Sequence, residues 1–201
     1  MSAPHSEESD STVRLFIAAP IDELARKEIT AAMSRFEAPS PEIAREIRWT
    51  PPQNNHLTVK FLGECPAAGV GAIAEAIRAA ANSEERVAGR FTGVGSFAVF
   101  RRPTIIWTAV NDGSALASLA GKLDSSLEML GYARERRPYF AHVTLARVRS
   151  HHAARLALAH LEHVQPELSF TLDSLILYRS ELRPDGPVYS PLAAFPLRES
   201  S

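Results

Sequence analysis

Cysteine is almost absent from this chain of 201 residues. Cys65 is the single one, which excludes an internal disulfide and a cysteine zinc cluster. Long apolar runs are missing too, so no segment resembles a membrane-spanning helix. The N-terminal residues lack the basic region and apolar core of a signal peptide. We therefore expect a cytoplasmic protein that makes no contact with membranes. We also expect a monomer.

An excess of charge of either sign is also absent. Lys and Arg number 22 against 23 Asp and Glu, which gives a net charge of −1. A protein whose whole surface binds duplex nucleic acid is expected to be basic, so any such contact has to be local here. The composition, 45% hydrophobic and 22% charged, is typical of a globular protein rather than a disordered one.

The pattern of apolar residues predicts the same order of elements twice: strand, helix, strand, helix, strand. Strands are predicted at 13–19, at 47–62 with a break at Pro51, at 89–100, 104–110, 141–148 and 169–178, and helices at 21–36, 69–81, 115–130 and 152–163. Ser114 is the predicted N-cap of the third helix, and Gly131 closes it. We predict a disordered tail over 1–12 and one domain over 13–198, whose halves cover roughly 13–100 and 101–198.

This repeat predicts an α+β fold of two similar lobes. They would be related by a pseudo-two-fold axis, with mainly antiparallel sheets flanked by helices and a central cleft between the lobes. One continuous α+β sheet is the alternative that the pattern leaves open.

Both halves place a His-x-Thr motif on their second strand. The motifs are His56-Leu57-Thr58 and His142-Val143-Thr144. Residues i and i+2 of a strand share a face, so each motif presents an imidazole and a hydroxyl together, with the middle residue in the core. An imidazole transfers protons near neutral pH, and a hydroxyl donates a hydrogen bond to an oxyanion. Across a shared cleft, two such pairs suit in-line displacement at phosphorus without a metal. Two ordinary half-buried strands are the alternative, since Thr is common there.

Four segments resemble the 2H phosphoesterase family, most closely its RNA 2′,3′-cyclic phosphodiesterase branch, historically also called 2′-5′ RNA ligase. They are Arg14–Pro20 (RLFIAAP), Pro51–Glu64 (PPQNNHLTVKFLGE), His142–Arg147 (HVTLAR) and Leu177–Leu192 (LYRSELRPDGPVYSPL). The resemblance implies the bilobal fold. It also implies metal-independent, cofactor-free opening of a terminal 2′,3′-cyclic phosphate to a 2′-phosphomonoester, on RNA ends or nucleoside 2′,3′-cyclic phosphates.

Carried over by position, the resemblance implies that His56 is the general acid on the leaving O3′ and that His142 is the general base for water. Thr58 and Thr144 match ligands of the phosphate oxygens. From the residues alone, either imidazole can serve as acid or base, because the halves are alike and the reverse reaction exchanges their roles.

Two further positions match substrate contacts in the family: Phe61 near the nucleobase and Arg147 as a cationic contact. Strict alternation, however, places Lys60 on the face of the histidine and turns Phe61 and Arg147 to the opposite face, unless a bulge, a twist or a strand end intervenes. Phe61 then either packs in the core or stacks on a base. Arg147 contacts substrate or a carboxylate, and Lys60 lies near phosphate or at the solvated rim.

Three other functions stay open. A 2′-5′ RNA ligase would run the reverse chemistry with a 5′-hydroxyl in place of water, and another 2H phosphodiesterase would prefer a different linkage. A non-catalytic module that binds RNA ends would not need two proton-transfer groups. The histidine-rich tract around His151 and His160 lacks an obvious thiol or acidic partner, so we expect no metal site there.

Overall fold

In a computed structural model of the protein, residues 11–99, 102–164, 168–184 and 186–199 are described. Most of the predicted tail, residues 1–10, lies outside them. The elements are β1 (Thr12–Pro20), α1 (Glu23–Ser34), α2 (Pro41–Glu46), β2 (Ile47–Trp49), β3 (His56–Pro66), α3 (Val70–Asn82), β4 (Val87–Val99), β5 (Arg102–Asn111), α4 (Ala115–Glu128), β6 (His142–Val148), α5 (His151–Val164), β7 (Ser169–Leu172), β8 (Ser174–Arg183) and β9 (Gly186–Pro196).

The strands join in the order β7-β4-β5-β6-β3-β1-β8-β9, and β2 pairs with β6. Every pairing between these strands is antiparallel. At the centre, β3 and β6 share one described residue pair, Leu57 with Val143, so the sheet divides there into two lobes. The predicted α+β fold, mainly antiparallel and bilobal, is confirmed, and the lobes are parts of one continuous sheet.

The lobes interleave in sequence. Strand β4, from the first half of the chain, pairs with β5 of the second half, while β8 and β9 extend the lobe of β1 and β3. Each lobe therefore contains strands from both halves of the chain. The bounds of the tail, of the domain and of the repeat stay predictions.

Local signals explain where most helices begin and end. Asp22 caps α1 by accepting the N–H of Ala25 at 2.8 Å, and Gly131 ends the turn after α4 with φ of +88°, a value that glycine adopts without strain. The expected cap of α4 differs. Ser114 precedes the helix but makes no side-chain cap, and the Asp112 carboxylate accepts the N–H of Leu116 at 2.8 Å instead.

The core lies between the sheet and the helices. The leucine spacing predicts a buried stripe on α4. Leu116, Leu119, Leu123 and Leu127 are fully buried, whereas Leu130, the fifth leucine of the pattern, lies past the end of the helix and is 43% exposed. Helix α2 was not predicted. It begins at Pro41, and the side chain of Ser40 caps it by accepting the N–H of Ile43. Among the described residues, no helix combines the length and the apolar character needed to cross a bilayer.

Candidate active site

The two His-x-Thr motifs meet at the centre of the sheet. Leu57 lies opposite Val143 in the antiparallel pair of β3 and β6, and both side chains are fully buried. In this register each histidine lies across from the threonine of the other motif. All four of these side chains are half-buried on the opposite face of the sheet. The structure therefore brings the imidazole and hydroxyl of one motif beside those of the other, although the two motifs are 86 residues apart along the chain.

Each imidazole interacts with the backbone carbonyl of the residue two positions before it. Nδ1 of His142 lies 2.8 Å from the carbonyl oxygen of Phe140, and the carbonyl of Asn54 forms a hydrogen bond with His56. A carbonyl only accepts, so Nδ1 of His142 carries a hydrogen and Nε2 is left for proton transfer. The two halves thus orient their histidines by the same local device.

Aromatic rings surround both imidazoles. The ring centroids of Phe16, Tyr189 and Tyr178 lie 5.2, 5.5 and 5.9 Å from that of His56, and those of Phe97, Phe140 and Trp107 lie 5.2, 5.7 and 6.5 Å from that of His142. Of these rings, Tyr178 and Tyr189 lie in a segment that resembles the family.

This enclosure changes the acidity of the imidazoles. Burial lowers the pKa of His56 to about 4, opposed by the hydrogen bond that the imidazole donates to the Asn54 carbonyl, and the charge of His142 lowers it further. Burial also lowers the pKa of His142, against the effect of the Phe140 carbonyl. Both imidazoles are therefore neutral near pH 7 in the free protein, since desolvation disfavours the charged form.

A bulge follows the threonine in each motif. On β3, Thr58 pairs with Ala18 and Lys60 pairs with Ile17, which leaves Val59 without a partner on β1. On β6, Leu145 is left over in the same way against β5, because the register shifts after Thr144. An extra residue in one strand reverses the in-and-out alternation beyond it.

The bulges turn Phe61 and Arg147 towards the histidines. Both residues line the same cleft as His56, and Phe61 is 75% exposed. Strict alternation would turn them away from the motifs, but a bulge was the stated exception, and one lies in each strand. These two positions are equivalent in the repeat, each five residues after its histidine.

Lys60 turns in the other direction. Its side chain is buried beneath the sheet, where Nζ donates to the carbonyl of Ala133 at 2.9 Å and pairs with the carboxylate of Asp124. Both sequence-based alternatives, a place near phosphate and a place at the rim, were wrong. The lysine instead ties β3 to α4 and to the segment before β6.

A cleft of about 510 Å³ opens beside His56. Of the predicted site residues, it is lined by His56, Thr58, Phe61, Thr144 and Arg147, while His142 lies outside the lining. Arg14, Arg48 and Tyr189 also line it and were not predicted as site residues. The described lining contains three arginines and no carboxylate, so the cleft is suited to an anion.

The histidine-rich tract lies in α5. Nε2 of His160 lies 2.8 Å from the carbonyl oxygen of Ala32, and its ring packs edge-on against Phe36. Within the ranges that the structure describes, no group of three or more His, Cys, Asp or Glu could hold a metal ion. His160 therefore has a structural contact rather than a place in the cleft.

Known structures share this architecture. The crystal structure of TT0787 of Thermus thermophilus aligns with a TM-score of 0.75 at 26% identity, over 94% of this chain and all of that chain. Escherichia coli LigT, in a complex with 3′-AMP, aligns with a TM-score of 0.72 at 23% identity, over 93% and 99% of the two chains. The fold is thus that of the LigT-like proteins.

The sequence profile of the 2′-5′ RNA ligase superfamily matches residues 48–184. The chain belongs to this superfamily, which confirms the resemblance to the 2H phosphoesterases.

Curated relatives cover nearly all of the chain. The RNA 2′,3′-cyclic phosphodiesterase of Thermus thermophilus is 31% identical over 192 residues, 92% of this chain and 91% of that protein. The protein of the same name from Methanothermobacter thermautotrophicus is 28% identical over 188 residues, 92% of this chain and 99% of that protein. The one from Geobacillus stearothermophilus is 29% identical over 182 residues, and the match spans 56% of its length.

Proposed function

We propose that the protein hydrolyses the 2′,3′-cyclic phosphate of RNA ends or nucleosides to a 2′-phosphomonoester, by metal-independent acid–base chemistry of His56 and His142. The observation that carries this proposal is the meeting of the two motifs, with each histidine across from the other motif's threonine. The arginine-lined cleft beside them and the names of the curated relatives support the same substrate.

The reaction divides between the two imidazoles. Nε2 of His142 takes a proton from water while the water oxygen bonds to phosphorus, and the bond from phosphorus to O3′ breaks as His56 protonates that oxygen. The bond from phosphorus to O2′ is kept, so the product is a 2′-phosphomonoester with a free 3′-hydroxyl. The hydroxyls of Thr58 and Thr144 donate to the non-bridging oxygens, where charge develops.

The position of the cleft supports His56 as the acid. The leaving oxygen belongs to the nucleoside, which needs space for a ribose and a base. That space opens beside His56, whereas His142 lies outside its lining. The imidazole next to the nucleoside is therefore the one that protonates the leaving oxygen, and the other faces the attacking water.

Two cleft residues contact the substrate beyond the reacting phosphorus. Phe61 offers an exposed ring to which a base stacks, a contact worth about 1–3 kcal/mol. Arg147 lies on the same face and provides a guanidinium for an anionic oxygen. The described site is complete within one chain, which supports a monomer. The cytoplasmic location expected from the sequence stays a prediction.

Incubation with a nucleoside 2′,3′-cyclic phosphate in EDTA tests the proposal. We expect turnover, with the 2′-phosphomonoester as product by ³¹P NMR, and loss of turnover in His56→Ala and His142→Ala. Binding without turnover would indicate a module that only binds RNA ends. Joining to a 5′-hydroxyl acceptor in preference to hydrolysis would indicate a ligase.

A further inference from the structure

Two arginines lie side by side in the cleft. Arg48 on β2 is the register partner of Arg147 on β6. Directly opposed residues of an antiparallel pair extend to the same face of a sheet. Both arginines are exposed and both line the cleft beside His56. Their guanidinium groups therefore open onto the same space as the catalytic imidazole.

The cleft contains three arginines, and Arg48 and Arg147 differ from Arg14 in their ion pairing. Within the ranges that the structure describes, no carboxylate forms an ion pair with Arg48 or Arg147. Arg14, the third arginine, pairs with Glu64 at 3.7 Å. Like charges directly opposite one another destabilise a sheet. An anion bound between Arg48 and Arg147 would remove that cost.

Arg48 also reaches across the cleft to the other lobe. A Cβ added at Gly186, the first residue of β9, would collide with the guanidinium of Arg48. β2 belongs to the lobe of β6, whereas β9 belongs to the lobe of β3. The absence of a side chain at position 186 therefore leaves the Arg48 guanidinium room at the edge of the cleft.

The pair lies one step away from the reacting phosphate. Arg147 follows Thr144 by two strand positions once the bulge is discounted, a separation of about 7 Å along β6. Thr144 is the proposed ligand of the cyclic phosphate, so the backbone positions of the pair lie beyond that phosphate along the strand. Neighbouring phosphates of a nucleic acid strand are separated by one ribose, which is a distance of the same order.

We infer that Arg48 and Arg147 together bind a second phosphate of the substrate, the internucleotide phosphodiester on the 5′ side of the reacting nucleotide. This inference rests on the proposed function and narrows its substrate to the 3′ end of an oligonucleotide. Arginine suits this task, because its planar fork binds phosphate oxygens through two parallel hydrogen bonds. A nucleoside 2′,3′-cyclic phosphate reacts at the same site but leaves the pair unoccupied.

The test compares three substrates: adenosine 2′,3′-cyclic phosphate, a dinucleotide that ends in the same group, and that dinucleotide with an uncharged methylphosphonate linkage. For the wild type we expect kcat/KM to be about tenfold to a hundredfold higher for the charged dinucleotide than for the mononucleotide. We expect the methylphosphonate to lose most of this advantage. Higher salt should lower kcat/KM more steeply for the charged dinucleotide than for the mononucleotide.

Variants assign the effect to the pair. In Arg48→Met, the ratio of kcat/KM between the charged and the uncharged dinucleotide should fall towards one, and Arg48→Lys should keep part of it. Arg45→Met is the matched control, because this exposed arginine on α2 lies outside the cleft lining. Its ratio should equal that of the wild type. The ratio compares two substrates on the same folded protein, so a loss of stability alone does not change it.

The outcomes separate the two proposals. If the mononucleotide is hydrolysed but the charged dinucleotide has no advantage, or if Arg48→Met keeps the advantage, the second-phosphate site is overturned and the proposed function stands. If none of the cyclic phosphates is hydrolysed, the proposed function fails, and the inference fails with it.

Discussion

Leu57 lies directly opposite Val143 at the junction of the two lobes, and neither side chain is exposed to solvent. These are the middle residues of the two His-x-Thr motifs. Because alternate residues of a strand share a face, this buried pair places both imidazoles on the side of the cleft. The packing of the core and the geometry of the site are thus set by the same pair.

Shortening one member of this pair should lower the stability of the protein. Leu57→Ala removes buried methyl groups and leaves a cavity, so we expect the free energy of unfolding to fall by about 2–5 kcal/mol. Urea denaturation measures this loss. Thr12→Ala, at the exposed start of β1, is the control and should change stability by less than about 0.5 kcal/mol. A Leu57→Ala protein as stable as the wild type would contradict the buried position.

A sulfur leaving group should distinguish the acid from the base. We consider a cyclic substrate whose O3′ is replaced by sulfur. The sulfur needs little protonation to leave, because the pKa of a thiol is much lower than the pKa of an alcohol. His56→Ala and His142→Ala should each lose about 10²-fold or more on the oxygen substrate. Only His56→Ala should recover on the sulfur substrate. Recovery of His142→Ala alone would exchange the two roles.

The depressed pKa values predict an acidic optimum for kcat/KM, which reports the free enzyme. In the proposed mechanism, the reactive form has His56 protonated and His142 neutral. Burial lowers the pKa of His56 to about 4, so its protonated fraction declines as the pH rises above that value. The pKa of His142 also lies below the usual 6.5. We therefore expect kcat/KM to peak below pH 6.5 and to fall towards neutral pH.

The profile of kcat should differ from that of kcat/KM. A bound phosphate anion favours the protonated imidazole, so the optimum of kcat should lie at higher pH. Initial rates at saturating and at low substrate, from about pH 4 to about pH 8, separate the two profiles. An increase of kcat/KM through pH 7 would show that His56 is not the buried acid described here.

The buried ion pair between Lys60 and Asp124 offers a test of stability. The side chains are 6% and 15% exposed. Asp124→Ala leaves the ammonium group buried with the Ala133 carbonyl as its remaining partner, which should cost about 3–5 kcal/mol of unfolding free energy. Lys60→Met combined with Asp124→Leu removes both charges and should cost less than Asp124→Ala alone.

Urea denaturation of the single and double variants provides the comparison. Glu75→Ala is the control, because its ion pair with Arg78 is on the surface and should contribute less than about 1 kcal/mol. Equal losses for Asp124→Ala and Glu75→Ala would refute the importance of burial at Lys60.

Much of the fold and the centre of the site could be predicted from local patterns. Apolar spacing located most of the strands, though not β9, and the longer helices, and the period of two placed the imidazole and hydroxyl of each motif together. These features depend on neighbours in sequence. The bulges at Val59 and Leu145 could not be predicted in this way, because both are ordinary strand residues whose extra position shows only in the pairing with β1 and β5.

Long-range pairing explains the other omissions. The sequence shows that Arg48 precedes Trp49, but only the pairing of β2 with β6 brings it beside Arg147. The interleaved lobes have the same cause, since β8 joins β1 from the far end of the chain. Such contacts are set by the tertiary structure and not by a local period.

A crystal structure with uridine vanadate, a trigonal-bipyramidal analogue of the transition state, addresses both imidazoles at once. We expect Nε2 of His56 and Nε2 of His142 to contact the two apical oxygens from opposite sides, each at about 2.7–3.2 Å. The equatorial oxygens should accept hydrogen bonds from Thr58 and Thr144. A complex in which either imidazole lies beyond hydrogen-bond reach of its apical oxygen would contradict catalysis by two histidines at one phosphorus atom.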